Sequence, residues 1–414
     1  MTLAEELVAR GLVSETSADI GKILNTRRTV YLGVDPTADS MHAGNLLVVL
    51  TMKRLADAGH SIQLLVGGGT GMIGDPKEKG ERPLADTRTV ARNKRAIKDQ
   101  MQSIIGRRVK VMDNADWLLK IRLVDFLRDI GKHFTVNELV KRDVIRRRLD
   151  NEDDSISYTE FAYTLLQGYD YLVLNQKYGT DLQVGGNDQW TNLLSGVELI
   201  RRKAGREAYA LTTPIVTDAS GKKFGKSEGN AIWLDPEKTS PYDFYQFWLN
   251  QPDQVVEQYL KFFTFLSLAE ISVLTELHGR NPSRRDAQRA LAREVTGIVH
   301  GAAAAARCAT VSETLFGDRA RASLSQEEKS LLFTVAPTLR VSGNNLESGY
   351  LVIDALITGG LVPSKSEARR LIEARGVYVN GQPVDRAEAV LSEGDFENGL
   401  ALLRKGKQML VVAC

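Results

Sequence analysis

Residues 31–45, Tyr-Leu-Gly-Val-Asp-Pro-Thr-Ala-Asp-Ser-Met-His-Ala-Gly-Asn, contain the end of a strand, a turn and the start of a helix. Val30 to Val34 is an apolar run of the length of a buried strand. Asp35-Pro36-Thr37 breaks it, and Leu46, Leu47, Val49, Leu50 and Leu55 then recur at helical spacing. A strand that feeds straight into a helix belongs to an α/β sheet. In such sheets ligands sit at the carboxyl ends of the strands, and the free N–H groups of the next helix attract anions. A phosphate-bearing ligand is therefore expected here. His42 and Asn45 add side-chain donors one turn apart, and Gly44 lets a bulky group approach the backbone.

The same pattern recurs downstream. Ser61 to Val66 reads as a second strand and runs into Gly67-Gly68-Gly69-Thr70-Gly71-Met72-Ile73-Gly74-Asp75-Pro76. These glycines do not follow the dinucleotide fingerprint, and Pro76 would interrupt its helix. The segment reads instead as a loop kept small so that backbone can border a ligand. Asp75 is a candidate partner for an ammonium group, and equally a turn-capping Asp. Asp181 to Val184 reads as a further strand ending at Gly185-Gly186-Asn187-Asp188-Gln189-Trp190, with Asp188 placed like the acid that takes a ribose hydroxyl. Between them, Ser155 to Tyr171 reads as a helix with Tyr163, Gln167 and Asp170 on one face. That stripe is either solvent-exposed or the polar wall of a site. Further on, Gly221 to Ser227 sets Lys223 and Lys226 three residues apart on a glycine-flanked loop able to close over a polyphosphate.

A chain of 414 residues exceeds one ordinary domain, so two to three are expected. With 54 basic against 52 acidic residues there is little net field, and any RNA contact must come from local basic patches. Lys77 to Asn114 reads as basic and helical, and Lys141 to Arg148 repeats the pattern. Either run is a solvated face or a set of phosphate contacts. Cys308 and Cys414 are far apart without metal-ligand spacing, so a reducing compartment and no protein-bound metal are expected. The amphipathic, acidic start resembles neither a signal nor a transit peptide, and no stretch is apolar enough for a bilayer, which makes a soluble cytoplasmic protein the expectation.

Asp235-Pro236 and Ser240-Pro241 punctuate the entry to a helical region, from Pro241 to about Thr314, whose aromatics read as core. Ala320 to Ser348 reads as a linker. From about Gly349 a small module follows: a helix at Leu351 to Leu356, a second opened by Ser364, and a hairpin turning at Asn380-Gly381. Arg369, Arg370, Arg375, Arg404, Lys405 and Lys407 give it a basic side.

His42-Ala43-Gly44-Asn45 and Lys223-Phe224-Gly225-Lys226-Ser227 resemble the two signatures of class I aminoacyl-tRNA synthetases, His-Ile-Gly-His and Lys-Met-Ser-Lys-Ser. The segments 31–37, 157–163, 166–170 and 185–190, with Gly74-Asp75-Pro76, extend the likeness. Over nearly its whole length the chain resembles the bacterial tyrosyl-tRNA synthetases, and its tail the S4-type RNA-binding fold.

That resemblance implies an α/β, Rossmann-like parallel-sheet catalytic domain with a helical insertion (1–218), the lysine loop and a linker (219–240), an α-helical anticodon-side domain (241–320), a linker (321–348) and an α+β S4-like domain (349–414). It implies a homodimeric tyrosine–tRNA ligase that uses L-tyrosine, tRNA(Tyr) and ATP, with Mg2+ carried on the ATP. By the same resemblance, Tyr31 and Asp170 hold the substrate phenol, Tyr163, Gln167 and Asp75 its ammonium group, and Gln189 lies beside its carboxylate. ATP lies against Gly33, Asp35, Thr37, His42, Gly44 and Asn45, with Gly186 and Asp188 at the ribose. His42, Asn45, Lys223, Lys226 and Ser227 are the catalytic set. tRNA contacts are expected at Lys79, Arg82, Arg201, Arg202, Lys365, Arg369 and Arg370. Asn45 departs from the second signature histidine and Phe224-Gly225 from Met-Ser, yet His42 and both lysines remain. A tryptophan ligase of the same fold is disfavoured by the pair Tyr31 and Asp170. A non-catalytic RNA-binding relative is disfavoured by the retained catalytic set.

Overall fold

The structure is a computed structural model that describes every residue except 76–85, 107–108, 141–142, 152–154, 219–220, 222–223, 225–230, 318–319 and 348. Its contacts gather the chain into two units, Met1–Ser240 with Asn250–Leu291, and Pro241–Leu249 with Ala292–Cys414.

In the first unit, short apolar runs become strands because both faces of the sheet are covered, which favours continuous hydrophobic sequence over alternation. β1 is Glu15–Thr16, β2 Thr29–Val34, β3 Ser61–Val66, β4 Lys110–Asp113, β5 Leu182–Gly186 and β6 Tyr209–Thr213. They form one sheet in the order β1-β6-β5-β2-β3-β4, with β2 to β6 parallel and β1 antiparallel to β6. The chain steps outward from β2 through β3 to β4, then returns to the other side of β2 for β5 and β6. The direction of winding thus reverses between β2 and β5, and the crevice outside their carboxyl ends is where such sheets bind ligands.

The helix Ala43–Asp57 follows β2, with its inner face buried from Leu46 to Leu55. The helix expected from Ser155 starts at Tyr158 and runs on to Tyr178, stopped by Gly179 in the left-handed conformation (φ 68°). The basic run read as helical down to Asn114 divides differently. Its described part is the helix Thr87–Ile105 followed by β4, because Lys110–Asp113 pairs in register with Gln63–Val66.

In the second unit, Tyr242, Phe244, Tyr245 and Trp248 are buried on the helix Pro241–Leu249, as core aromatics. The stretch 321–348, read as a linker, holds regular structure in its described part, 321–347. It holds the helix Gln326–Val335, capped by Ser325, and β7, Thr338–Arg340, which pairs in parallel with β13, Gln408–Ala413. The tail sheet therefore begins ahead of Gly349. It runs β10-β9-β12-β13-β7, with β9 at Val377–Val379, β10 at Gln382–Pro383 and β12 at Leu400–Lys405, while β8, Tyr350–Leu351, and β11, Val390–Leu391, pair separately. β9 and β10 turn at Asn380-Gly381, both at positive φ (51° and 83°) as an Asn-Gly hairpin requires. The tail helices span Val352–Thr358 and Lys365–Glu373, the latter capped by Ser364.

Candidate active site

The carboxyl ends of β2 to β6 surround a cavity of about 640 Å3. Tyr31, Gly33, Asp35 and Thr37 enter it from β2 and its turn, and His42, Gly44 and Asn45 from the helix that follows. Asp75 enters from the glycine loop, Tyr163, Gln167 and Asp170 from the helix Tyr158–Tyr178, and Gly186, Asp188 and Gln189 from the end of β5. The stripe on that helix is a polar wall and not a solvated face.

At the deep end, Tyr31 is 1% exposed, its ring lies 5.0 Å from that of Tyr171, and its hydroxyl has no hydrogen-bond partner. Asp170, 2% exposed, accepts from Trp117 Nε1 at 2.7 Å and from Asn114 Nδ2 at 2.9 Å. Burial pushes its carboxyl up to about 7. The two N–H donors act in the opposite direction, and the charges of Asp35 and Asp113 add to the rise. Asn114 also accepts from Gly69 N–H at 2.7 Å and donates to Thr70 Oγ1 at 2.8 Å. Thr70 donates to Asp35 Oδ1 at 2.7 Å, and Tyr163 donates to Asp35 Oδ2 at 2.8 Å. One hydrogen-bonded chain thus joins Asp170 to Tyr163. Burial, then the Asp35 charge, hold the Tyr163 phenol far above its ordinary range.

Sequence reading missed Thr70, Asn114 and Trp117. The available signal was position, since Asn114 directly follows a strand that had been read as helix. The glycine loop also has a second cause: a Cβ on Gly67 would overlap the Asp35 carboxylate, and one on Gly68 that of Asp113. Asp75 accepts from Gln189 Nε2 at 2.8 Å. Gln189 is held in turn by Asn192 Nδ2 at 2.9 Å, and Asn192 by Thr164 at 2.8 Å. Gln167 Oε1 is buried without a partner.

At the other end, His42 and Asn45 form a reciprocal cap on the helix start. Gly44 N–H donates to His42 Nδ1 at 3.0 Å, and His42 N–H donates to Asn45 Oδ1 at 3.2 Å. With Nδ1 accepting, a neutral His42 carries its proton on Nε2, and Asn45 keeps its amide N–H groups. A Cβ on Gly44 would lie 2.7 Å from the Phe224 carbonyl oxygen and 2.9 Å from the His42 ring. Phe224 is buried against Tyr259 and Phe263, and its N–H donates to the Val216 carbonyl at 2.8 Å. Ala43 N–H donates to the Ile232 carbonyl at 2.8 Å and Leu234 N–H to that of Met41 at 2.9 Å. Both flanks of the lysine loop are thereby fastened beside His42. Lys223, Lys226 and Ser227 themselves lie outside the described residues, as do Lys79 and Arg82.

The described lining carries the carboxylates of Asp35, Asp75, Asp170 and Asp188 and no lysine or arginine, so it suits an ammonium group better than an anion. Among the described residues no three His, Cys, Asp or Glu side chains gather in a way that could hold a metal ion. Arg201 and Arg202 lie away from this lining. Both pair with Glu198, Arg201 at 2.6 Å and Arg202 at 2.5 Å, and these bonds pull its carboxyl down to about 2. In the tail, Lys365 pairs with Asp354 at 2.9 Å, and Arg369 and Arg370 are exposed on the same helix.

Residues 24–317 match the family model described as tRNA synthetases class I (W and Y), and residues 354–396 match the S4 domain. The chain is 46% identical over 416 residues to the tyrosine–tRNA ligase of Roseiflexus castenholzii, covering 98% of each chain. It is 44% identical over 420 residues to that of Lactococcus lactis subsp. lactis, covering 99% of this chain and 98% of the relative. A C-terminally truncated mitochondrial tyrosyl-tRNA synthetase from Aspergillus nidulans superposes with a TM-score of 0.69 at 32% identity, over 76% of this chain and 94% of that one.

Proposed function

The chain belongs to the tyrosine–tRNA ligases of class I, and from that membership and the cavity we infer how it works. It is an aminoacyl-tRNA synthetase: L-tyrosine and ATP give tyrosyl-adenylate and pyrophosphate, and tyrosine then passes to the 3′ end of tRNA(Tyr). The observation that carries the assignment of the pocket is the Tyr31 hydroxyl, buried without a partner in the same lining as the Asp170 carboxylate. A substrate phenol answers both, donating to Asp170 and accepting from Tyr31. Phenylalanine leaves the buried Tyr31 hydroxyl unsatisfied and offers Asp170 no donor; the steep discrimination that follows is the general rule for such sites, worked out on this very family. Asp75, Tyr163 and Gln167 receive the ammonium group, with Gln189 beside the carboxylate.

The nucleophile is the substrate's own carboxylate, already ionised at neutral pH, so attack on the α-phosphorus needs no general base. What remains is positioning and the stabilisation of charge spread over phosphate oxygens. ATP lies along Gly33, Asp35, Thr37 and Gly44, its ribose at Gly186 and Asp188. His42, Asn45 and the helix start face the phosphates, and Lys223, Lys226 and Ser227 close over the pyrophosphate. The described lining is acidic, so that loop and Mg2+ carried on the ATP phosphates are the sources of countercharge in this reading.

The tail helix with Lys365, Arg369 and Arg370 binds tRNA, with Lys79, Arg82, Arg201 and Arg202 as further contacts. A homodimer is supported by the exposed apolar residues Leu119, Leu123, Val124, Leu127 and Val136, which fall within one short stretch of the chain. Among the described residues no helix is long and apolar enough to cross a membrane, and the cytoplasm is the proposed location. Amino-acid-dependent exchange of labelled pyrophosphate into ATP tests the reading. Exchange with tyrosine, and not with tryptophan or phenylalanine, is expected; exchange with tryptophan as efficient as with tyrosine would overturn the pocket assignment.

A further inference from the structure

We propose that Arg148 and Glu160 form a buried clip that positions the ammonium end of the tyrosine site. The inference rests on the reading above, in which Tyr163 and Gln167 receive that ammonium group.

Both side chains are 2% exposed. Arg148 Nη1 donates to Glu160 Oε1 at 2.7 Å and Nη2 to Oε2 at 3.1 Å, the two-pronged geometry that fixes direction as well as distance. Arg148 Nη2 also donates to the Ser155 carbonyl. Glu160 has a second duty as the third residue of the helix Tyr158–Tyr178. Its Oε2 accepts from Ser157 N–H at 3.3 Å, while Ser157 Oγ accepts from Glu160 N–H at 3.2 Å. One carboxylate therefore ends the incoming chain, starts the helix and fastens both to the helix Asp143–Leu149.

Tyr163 stands one turn beyond Glu160 and Gln167 two, on the same face, so the clip sets the azimuth and height of both. Asp170 lies almost three turns on and is held by Asn114 and Trp117, neither of which bonds to the clip. Loss of the clip should therefore loosen the ammonium end of the pocket and leave the phenol end intact. A charge pair kept only for stability would make no such distinction between the two ends.

The test compares two ligands, L-tyrosine and 3-(4-hydroxyphenyl)propionate, which keeps the phenol and carboxylate and lacks the ammonium group. In the double variant R148M/E160L, whose apolar pair can fill the buried space, tyrosine affinity should fall about tenfold or more and that of the propionate less than about twofold. The preference for tyrosine over phenylalanine should persist. Arg148→Lys keeps the charge and loses the fork, and should show the same asymmetry at several-fold, which covers the case of a double variant that does not fold. Equal weakening of both ligands, or of neither, in a folded variant overturns the clip. Tyr163→Phe separates the two failures: if it leaves the tyrosine-to-propionate ratio unchanged, the assignment of the ammonium site is at fault and not the clip.

Discussion

Removal of Asn114 should change activity through the proton on Asp170. In Asn114→Ala the Asp170 carboxylate loses the donor at 2.9 Å and keeps only Trp117. A hydrogen bond to a charged group contributes about 1.5–3 kcal/mol, and one pH unit of midpoint corresponds to about 1.4 kcal/mol, so the midpoint should rise by roughly one to two pH units. It starts at about 7. The ionised carboxylate is the stronger acceptor for the O–H of the substrate phenol, so at pH 7.5 the competent fraction should drop by about threefold to about 25-fold. Pyrophosphate exchange followed from pH 6 to 9 reads this directly. For the parent, kcat/KM for tyrosine should decline below pH 7. The parent-to-variant ratio should be largest at pH 6 and narrow toward pH 9, with KM for ATP unchanged. Stability carries the opposite sign. A carboxyl whose midpoint is raised by burial costs the free protein stability as pH rises from about 4 to about 7, and the variant should extend that loss to higher pH. A deficit of equal size at every pH would refute the reasoning and leave Asn114 a packing residue.

Gly44→Ala should lower kcat at least tenfold with tyrosine binding nearly intact, because the new methyl pushes on the backbone of Phe224, whose N–H and ring anchor this segment; equilibrium binding beside single-turnover kinetics checks it. Charge reversal at Arg369 and Arg370 together should leave tyrosine-dependent exchange unchanged and weaken tRNA charging at least tenfold at low salt, with the deficit narrowing as salt rises. Leu123→Asp with Val124→Asp should move the sedimentation coefficient from dimer to monomer at micromolar concentration while secondary structure persists.

The residues proposed for the nucleotide and amino-acid roles sit at strand ends or on one helix face, which spacing reports; their roles came from the resemblance to the tyrosyl-tRNA synthetases, since spacing left the stripe of Tyr163, Gln167 and Asp170 open between a solvated face and a site wall. β2 and β3 were legible as unbroken apolar runs. β4 was not: Lys110–Asp113 is short and follows a basic helix, and only pairing with β3 makes it a strand. Asn114 and Trp117 were hidden with it, since their importance comes from a carboxylate 53 to 56 positions away. β7 was hidden likewise, a three-residue strand whose partner is the last strand of the chain. The roles of Arg148 and Glu160 are invisible in composition, where the first looks like one more surface arginine of a basic run.

The strand order also sets a schedule for the chain as it is made. β2 lies in the middle of its sheet, yet its neighbour β5 begins at Leu182, and β1 has no partner until β6 is reached at Tyr209. At a synthesis rate of about 5–20 residues per second, one edge of an apolar strand waits roughly 7–30 seconds for its cover. An open edge of this kind is a template for pairing with other chains. The winding reversal that creates the ligand crevice is therefore also the step at which the nascent protein is most exposed to aggregation, and the pocket cannot exist before that step is complete.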